Sequence, residues 1–105
     1  MKKLLKTSVK KYNQWQEKNR NIEIDLRRAN LEGANLKGAN LEGANLKGAD
    51  FRLADIEEAD LRLVDIEGAD FKGANLEGAN LKGAILEEAD LRRANLEGVK
   101  GIKND

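Results

Sequence analysis

The chain has 105 residues with no Cys, no His and no Pro, and its 19 Lys/Arg balance 19 Asp/Glu. That length predicts a single small domain. Without Cys there is neither a disulfide framework nor a thiolate metal site, which suits a reducing compartment. Without His the commonest general base and metal ligand is missing.

The zero net charge is unevenly spread. Residues 1–21 hold seven Lys/Arg and one acid, Glu17, for +6. Residues 22–99 hold ten Lys/Arg and seventeen acids, for −7, and residues 100–105 add +1. In the first segment Leu5, Val9, Tyr12 and Trp15 or Gln16 recur at helical spacing, with Leu4 and Ser8 alongside and Lys between them. This predicts one basic amphipathic helix of about three turns within 1–21. A secretory leader needs an apolar run of about seven or more residues. Here Leu4-Leu5 runs straight into Lys6. Neither a signal peptide nor a membrane span is expected, and the expected location is cytoplasmic. Next, Ile22 and Ile24 alternate with Glu23 and Asp25, predicting an entering strand, an imperfect zeroth repeat ahead of the regular ones.

From Asp25 to Glu97 one five-residue phrase recurs, as in Ala34-Asn35-Leu36-Lys37-Gly38. A large apolar residue falls every fifth place from Leu26 to Leu96, and Ala stands two places before it from Ala29 to Ala94, except at Val64. Asn or Asp lies between the two, except at Ile85. Such repeats decide the architecture before anything else. A helix would carry the apolar positions around its whole cylinder, and the regular Gly and Asn/Asp disfavour it. A straight strand puts Ala and the following Leu on one face but sends the next Ala, three residues on, to the other. Both stay inside only if the chain turns a corner in every repeat, so it must coil. In Leu36–Ala39, Gly38 is the third turn residue, where a type II turn needs a positive φ. Arg28, Leu53, Glu58, Leu63, Glu88 and Arg93 carry side chains there. These predict another turn type, with a local change of geometry between Phe51 and Leu63.

The A(D/N)LxG phrase resembles the pentapeptide-repeat proteins, and the likeness covers about three quarters of the chain. It implies an all-β fold, a right-handed four-sided parallel β-helix of just under four coils over 22–99. The 1–21 helix would then cap the first coil, because a solenoid end exposes apolar side chains and unpaired backbone. The short tail is 100–105. Four repeats per coil stack residues twenty apart, making Leu31, Phe51, Phe71 and Leu91 an internal ladder. The same stacking puts Arg52, Lys72 and Arg92 in one column and Glu57, Glu77 and Glu97 in the next, with pairing expected across the corners. The consecutive Asp50, Asp55, Asp60, Asp65 and Asp70 would spiral round the column, so turn-capping rather than a metal cluster is expected.

Nothing in the chain suggests catalysis: there is no nucleophile–base pair, phosphate loop or metal-ligand spacing. No catalytic residue, cofactor or metal is expected. The expected function is a non-catalytic module presenting charged walls to an unidentified protein partner. Two alternatives are a DNA mimic that inhibits a type II topoisomerase, which the resemblance implies for some family members, and membrane-surface association through the basic helix. Direct nucleic-acid binding is not expected. Ile85, Val99 and Ile102 are candidates for homodimer contact through the C-terminal coil.

Overall fold

A computed structural model describes residues 1–102; Lys103, Asn104 and Asp105 of the predicted tail lie outside the described residues. The molecule measures 38 × 24 × 23 Å. Its ladder consists of parallel bridges that all join residues twenty apart, from Asp25 with Asn45 to Asn80 with Lys100. Twenty residues are four repeats, so each repeat forms one side of a four-sided circuit and the walls carry Leu26, Leu31, Leu36 and Leu41 with their successors. Each side spends two residues on its turn and bridges through its Asn or Asp alone. No continuous strand is therefore present among the described residues; single bridges stacked in register replace it.

Three hydrogen bonds per repeat tie one circuit to the next. Leu36 N–H donates to the Asp55 carbonyl at 2.7 Å, Gly38 N–H to Glu57 at 2.9 Å, and Asp55 N–H to Ala34 at 2.9 Å. Each corner closes with a bond such as Ala39 N–H to the Leu36 carbonyl, 3.0 Å. The Leu and Ala positions fill the axis: Leu31, Leu36, Leu46, Phe51, Leu61 and Phe71 are fully buried. Burial on that scale is the main term holding the column together.

The change of turn expected at residues bearing a side chain does not occur. Leu53, Glu58 and Leu63 have φ of 60°, 58° and 59°, the same left-handed region as Gly38 at 73°. The closing bonds persist too, at 3.0 Å from Ala54 to Phe51 and 3.4 Å from Val64 to Leu61. Each such residue costs on the order of 1 kcal/mol in this region. The ladder bonds of both neighbouring circuits run through these corners, and they hold the conformation in place. At Gly101, φ is 93° and an added Cβ would lie 2.5 Å from Lys82 N, so the backbone itself occupies the space at that corner.

The N-terminal segment forms two helices rather than one, α1 (Lys2–Thr7) and α2 (Val9–Lys18). Ser8 breaks the run with extended φ/ψ of −155°/107°, and its Oγ accepts from Lys11 N–H at 3.2 Å. Serine competes well as an N-cap, and the flanking β-branched Thr7 and Val9 weaken helical continuity. Leu5 and Tyr12 are buried, with Leu4, Val9 and Trp15 packed against the same core. The entering strand is also corrected. Ile22 is exposed in a turn closed by its N–H on the Asn19 carbonyl at 3.0 Å, whereas Ile24 is buried. The ladder begins at Asp25.

Candidate functional site

The walls are built from a local bond that every repeat makes for itself. From Asp25 to Asn95, each Asn or Asp of the repeat accepts through Oδ1 the N–H two residues on, as Asn30 does from Glu32 at 3.1 Å. This is the Asx-turn chemistry that makes these residues favourable at corners. Ile85 cannot make it, and it stands 46% exposed on the Leu26 wall. The five consecutive Asp residues do distribute round the column. Of the five only Asp50 and Asp70 share a wall, which also carries Asp90, beside Arg52, Lys72 and Arg92. Among the described residues no group of three or more His, Cys, Asp or Glu could hold a metal ion.

Charges pair along the column axis and within single repeats, not across corners as expected. Arg52 holds Asp50 at 2.7 Å, Arg62 holds Asp60 at 2.7 Å and Arg92 holds Asp90 at 2.7 Å. These side-chain hydrogen bonds, ahead of the backbone bond and simple charge attraction, keep the three carboxyls below the ordinary carboxylate range. Between circuits, Lys37 reaches Glu57 at 3.2 Å, Arg52 reaches Glu32 at 3.5 Å and Arg62 reaches Glu42 at 3.3 Å. These three vertical pairs join the first circuit to the second; Lys47 also reaches Asp65 at 3.5 Å, and one circuit further on Lys72 reaches Asp90 at 3.8 Å. The cause is in the sequence: the alternation of sign slips once, where Lys47 is followed by Arg52. Twenty-residue stacking therefore places opposite charges across that one boundary and like charges below it.

Four different surfaces result. The Leu31 wall is balanced by its Asp–Arg/Lys pairs. The Leu36 wall is acidic, with Lys37 set against Asp55, Glu57, Glu58, Glu77 and Glu97. The Leu41 wall turns from Glu42 to Arg62 and Lys82. The Leu26 wall runs Arg27, Lys47, Glu67, Glu87. Along the whole column, residues 1–48 carry eleven Lys/Arg against five acids and residues 49–100 carry seven against thirteen. The two ends thus differ by +6 and −6.

Of the residues singled out in the sequence, Leu31, Phe51 and Phe71 are fully buried on one wall and Leu91 is half-buried. The Phe51 and Phe71 rings stack with centroids 4.6 Å apart and planes 5° apart. Val99 and Ile102 pack against the core, while Ile85 points out of the Leu26 wall.

The sequence reading missed the polar contacts of α2. Asn13 Oδ1 accepts Asn40 N–H at 2.8 Å, and its Nδ2 donates to the Gly38 carbonyl at 3.1 Å. Gln16 Oε1 accepts from Asn40 Nδ2 at 3.0 Å. Asn13 therefore supplies the acceptor that a preceding circuit would offer, a role no helical periodicity can signal. Tyr12 is fully buried and its hydroxyl meets no hydrogen-bond partner among the described residues. Burial pushes its pKa up to about 12. No helix among the described residues is long and apolar enough to cross a membrane.

The family description "Pentapeptide repeats" matches residues 24–62 and 59–98, in 8 copies. No curated protein matches the sequence. Among solved structures, a pentapeptide repeat protein from Nostoc PCC 7120 is 35% identical over 80% of this chain and 82% of that one, with a TM-score of 0.42. One from the Arabidopsis thaliana thylakoid lumen is 34% identical over 77% of this chain and 62% of its own, with a TM-score of 0.45. QnrB1, a plasmid-mediated fluoroquinolone resistance protein, is 19% identical over 74% of this chain and 53% of its own, with a TM-score of 0.40. By its repeats, the chain belongs to the pentapeptide-repeat family.

Proposed function

We propose that this chain is a non-catalytic, cytoplasmic interaction module. Its column, just under four coils with α1 and α2 covering the N-terminal end, holds charged walls in fixed register for a protein partner. The observation that carries this reading is the Leu36 wall. Glu57, Glu77 and Glu97 stand in one column there with Asp55 and Glu58 beside them, and Lys37 is that wall's one cation. Carboxylates stacked at the inter-strand spacing of about 4.8 Å repel one another. Lys37 pairs with Glu57, but Glu77 and Glu97 form no ion pair among the described residues, and a partner bearing cations would relieve their repulsion. Affinity capture from the source cell tests this, using the whole chain alongside Glu77→Lys/Glu97→Lys and a Leu41-wall control, Lys82→Glu. A partner held by the wild type and the control but released by the Leu36-wall variant supports the reading. Capture indifferent to all the substitutions removes it.

The same acidic wall favours a second reading, mimicry of DNA at a type II topoisomerase. A supercoiling assay with purified gyrase separates the two, and under the first reading no inhibition is expected at micromolar chain. The membrane-surface reading is weaker: Leu5 and Tyr12 are buried, so the helices lack the free apolar face that such binding inserts.

A further inference from the structure

The column on the Leu26 wall reads Arg27, Lys47, Glu67, Glu87 from the N-terminal circuit downward. The other three equivalent columns read Glu32, Arg52, Lys72, Arg92; Lys37, Glu57, Glu77, Glu97; and Glu42, Arg62, Lys82. Only the first changes sign at its midpoint. A two-fold axis lying in the plane of that wall, perpendicular to the column axis and midway between Lys47 and Glu67, brings each cation of the column opposite an acid of a second copy. Lys47 then faces the second copy's Glu67, and Arg27 its Glu87.

We propose that this wall is a self-recognition surface through which two copies pack side by side and antiparallel. The reading goes beyond the partner-binding role above and does not depend on it. Two further observations, one on this wall and one on the whole molecule, support it. Ile85, 46% exposed, is the one apolar residue at an Asn/Asp position among the described residues, and it places that side chain on this wall in the row of Glu87. The molecule as a whole is also polarised, +6 in residues 1–48 and −6 in residues 49–100, so antiparallel packing brings unlike halves together. An end-to-end dimer through the C-terminal circuits would instead oppose two acidic halves. Within one copy Lys47 bonds Asp65 at 3.5 Å and Arg27 bonds Asp25 at 2.8 Å, while Glu67 and Glu87 form no ion pair among the described residues. The acids are therefore available to a partner, and each cation can be shared. A single wall is a small interface, at the low end of specific contacts, so the association is weak and salt-sensitive.

Sedimentation of the full chain at high micromolar concentration tests this in low and high salt. The wild type is expected to dimerise at low ionic strength, with its association constant falling at least about tenfold when the Debye length shrinks from roughly 10 Å to roughly 3 Å. Glu67→Lys/Glu87→Lys and Arg27→Glu/Lys47→Glu should each be monomeric, and an equimolar mixture of the two should dimerise. Melting followed by circular dichroism confirms that each variant is folded; where a double variant is not, Glu87→Lys with Arg27→Glu repeats the swap. A wild type that stays monomeric at low salt overturns the proposal. So does a dimer that survives either single-sign variant or high salt, since it must use another face.

Discussion

The side chain of Leu53 lies over the bare α-carbon of Gly73, one circuit on, so closely that a Cβ built on Gly73 would sit 2.9 Å from Leu53 Cδ2. Leu63 covers Gly83 in the same way, and the Glu58 stem covers Gly78 with an added Cβ at 3.2 Å. A corner that carries a side chain is thus followed, twenty residues later, by a corner that leaves room for it. Gly68 has nearly the same φ, 69° against 70°, but nothing within 4 Å of an added Cβ. Gly68→Ala should therefore cost roughly 1 kcal/mol, the left-handed penalty alone. Gly73→Ala should cost more, and adding Leu53→Ala should recover the excess, a coupling that a double-mutant cycle in urea would measure. Equal costs at the two glycines would show that the Leu53 tip swings aside freely.

Most of the column was legible because its rules are local. The 2-and-3 spacing of Ala and Leu forces a coil, and an Asn or Asp before a corner caps it whatever lies elsewhere. What stayed hidden depends on a neighbour twenty or more residues away. Leu53 keeps a positive φ because the circuits above and below fix its corner, so its own preference for another turn is overridden. The vertical pairs such as Lys37–Glu57 follow from combining the register of twenty with the sign slip at Lys47–Arg52. Within α2, Asn13 is one polar residue among several, and only the open edge at Gly38 and Asn40 gives it a task.

Asn13→Ala should weaken the attachment of α2 to the column. It removes both bonds at once and leaves Asn40 N–H, in a half-buried residue, without its acceptor. A loss of about 1–3 kcal/mol is expected for a buried group left unpaired. Hydrogen exchange should show the effect first at Asn40. If global stability and Asn40 exchange are both unchanged, the helix is held by Leu5 and Tyr12 alone.

Tyr12 gives the fold a limit at high pH. Its pKa is raised by burial to about 12, above the unfolded value of about 10. Below pH 10 both states keep the proton and the group contributes no pH dependence. Between roughly pH 10 and 12 the unfolded chain ionises while the folded one does not, so stability falls as pH rises. Tyr12→Phe should flatten that fall relative to wild type in paired melts. It should also leave neutral-pH stability unchanged or improved, because the hydroxyl has no partner to lose among the described residues. A clear destabilisation at pH 7 would mean that the hydroxyl is bonded after all.

Ile85 tests what the Asx bond is worth, because nature has omitted it once. In the neighbouring repeat Asn80 Oδ1 accepts Lys82 N–H at 3.1 Å; at Ile85 the N–H of Glu87 has no such acceptor. Ile85→Asn should restore the bond and stabilise the column by roughly 0.5–1 kcal/mol, the usual net value of an exposed hydrogen bond. Asn80→Ala should lose about the same amount, which a shift of the urea midpoint at constant slope would register. The stability gain and the association proposed for this wall should move in opposite directions, since the change also removes the exposed apolar side chain. A stability loss at Ile85→Asn would mean that the isoleucine packs on its wall better than the turn bond can replace, and the Asx rule would then be a preference of this column rather than a source of its stability.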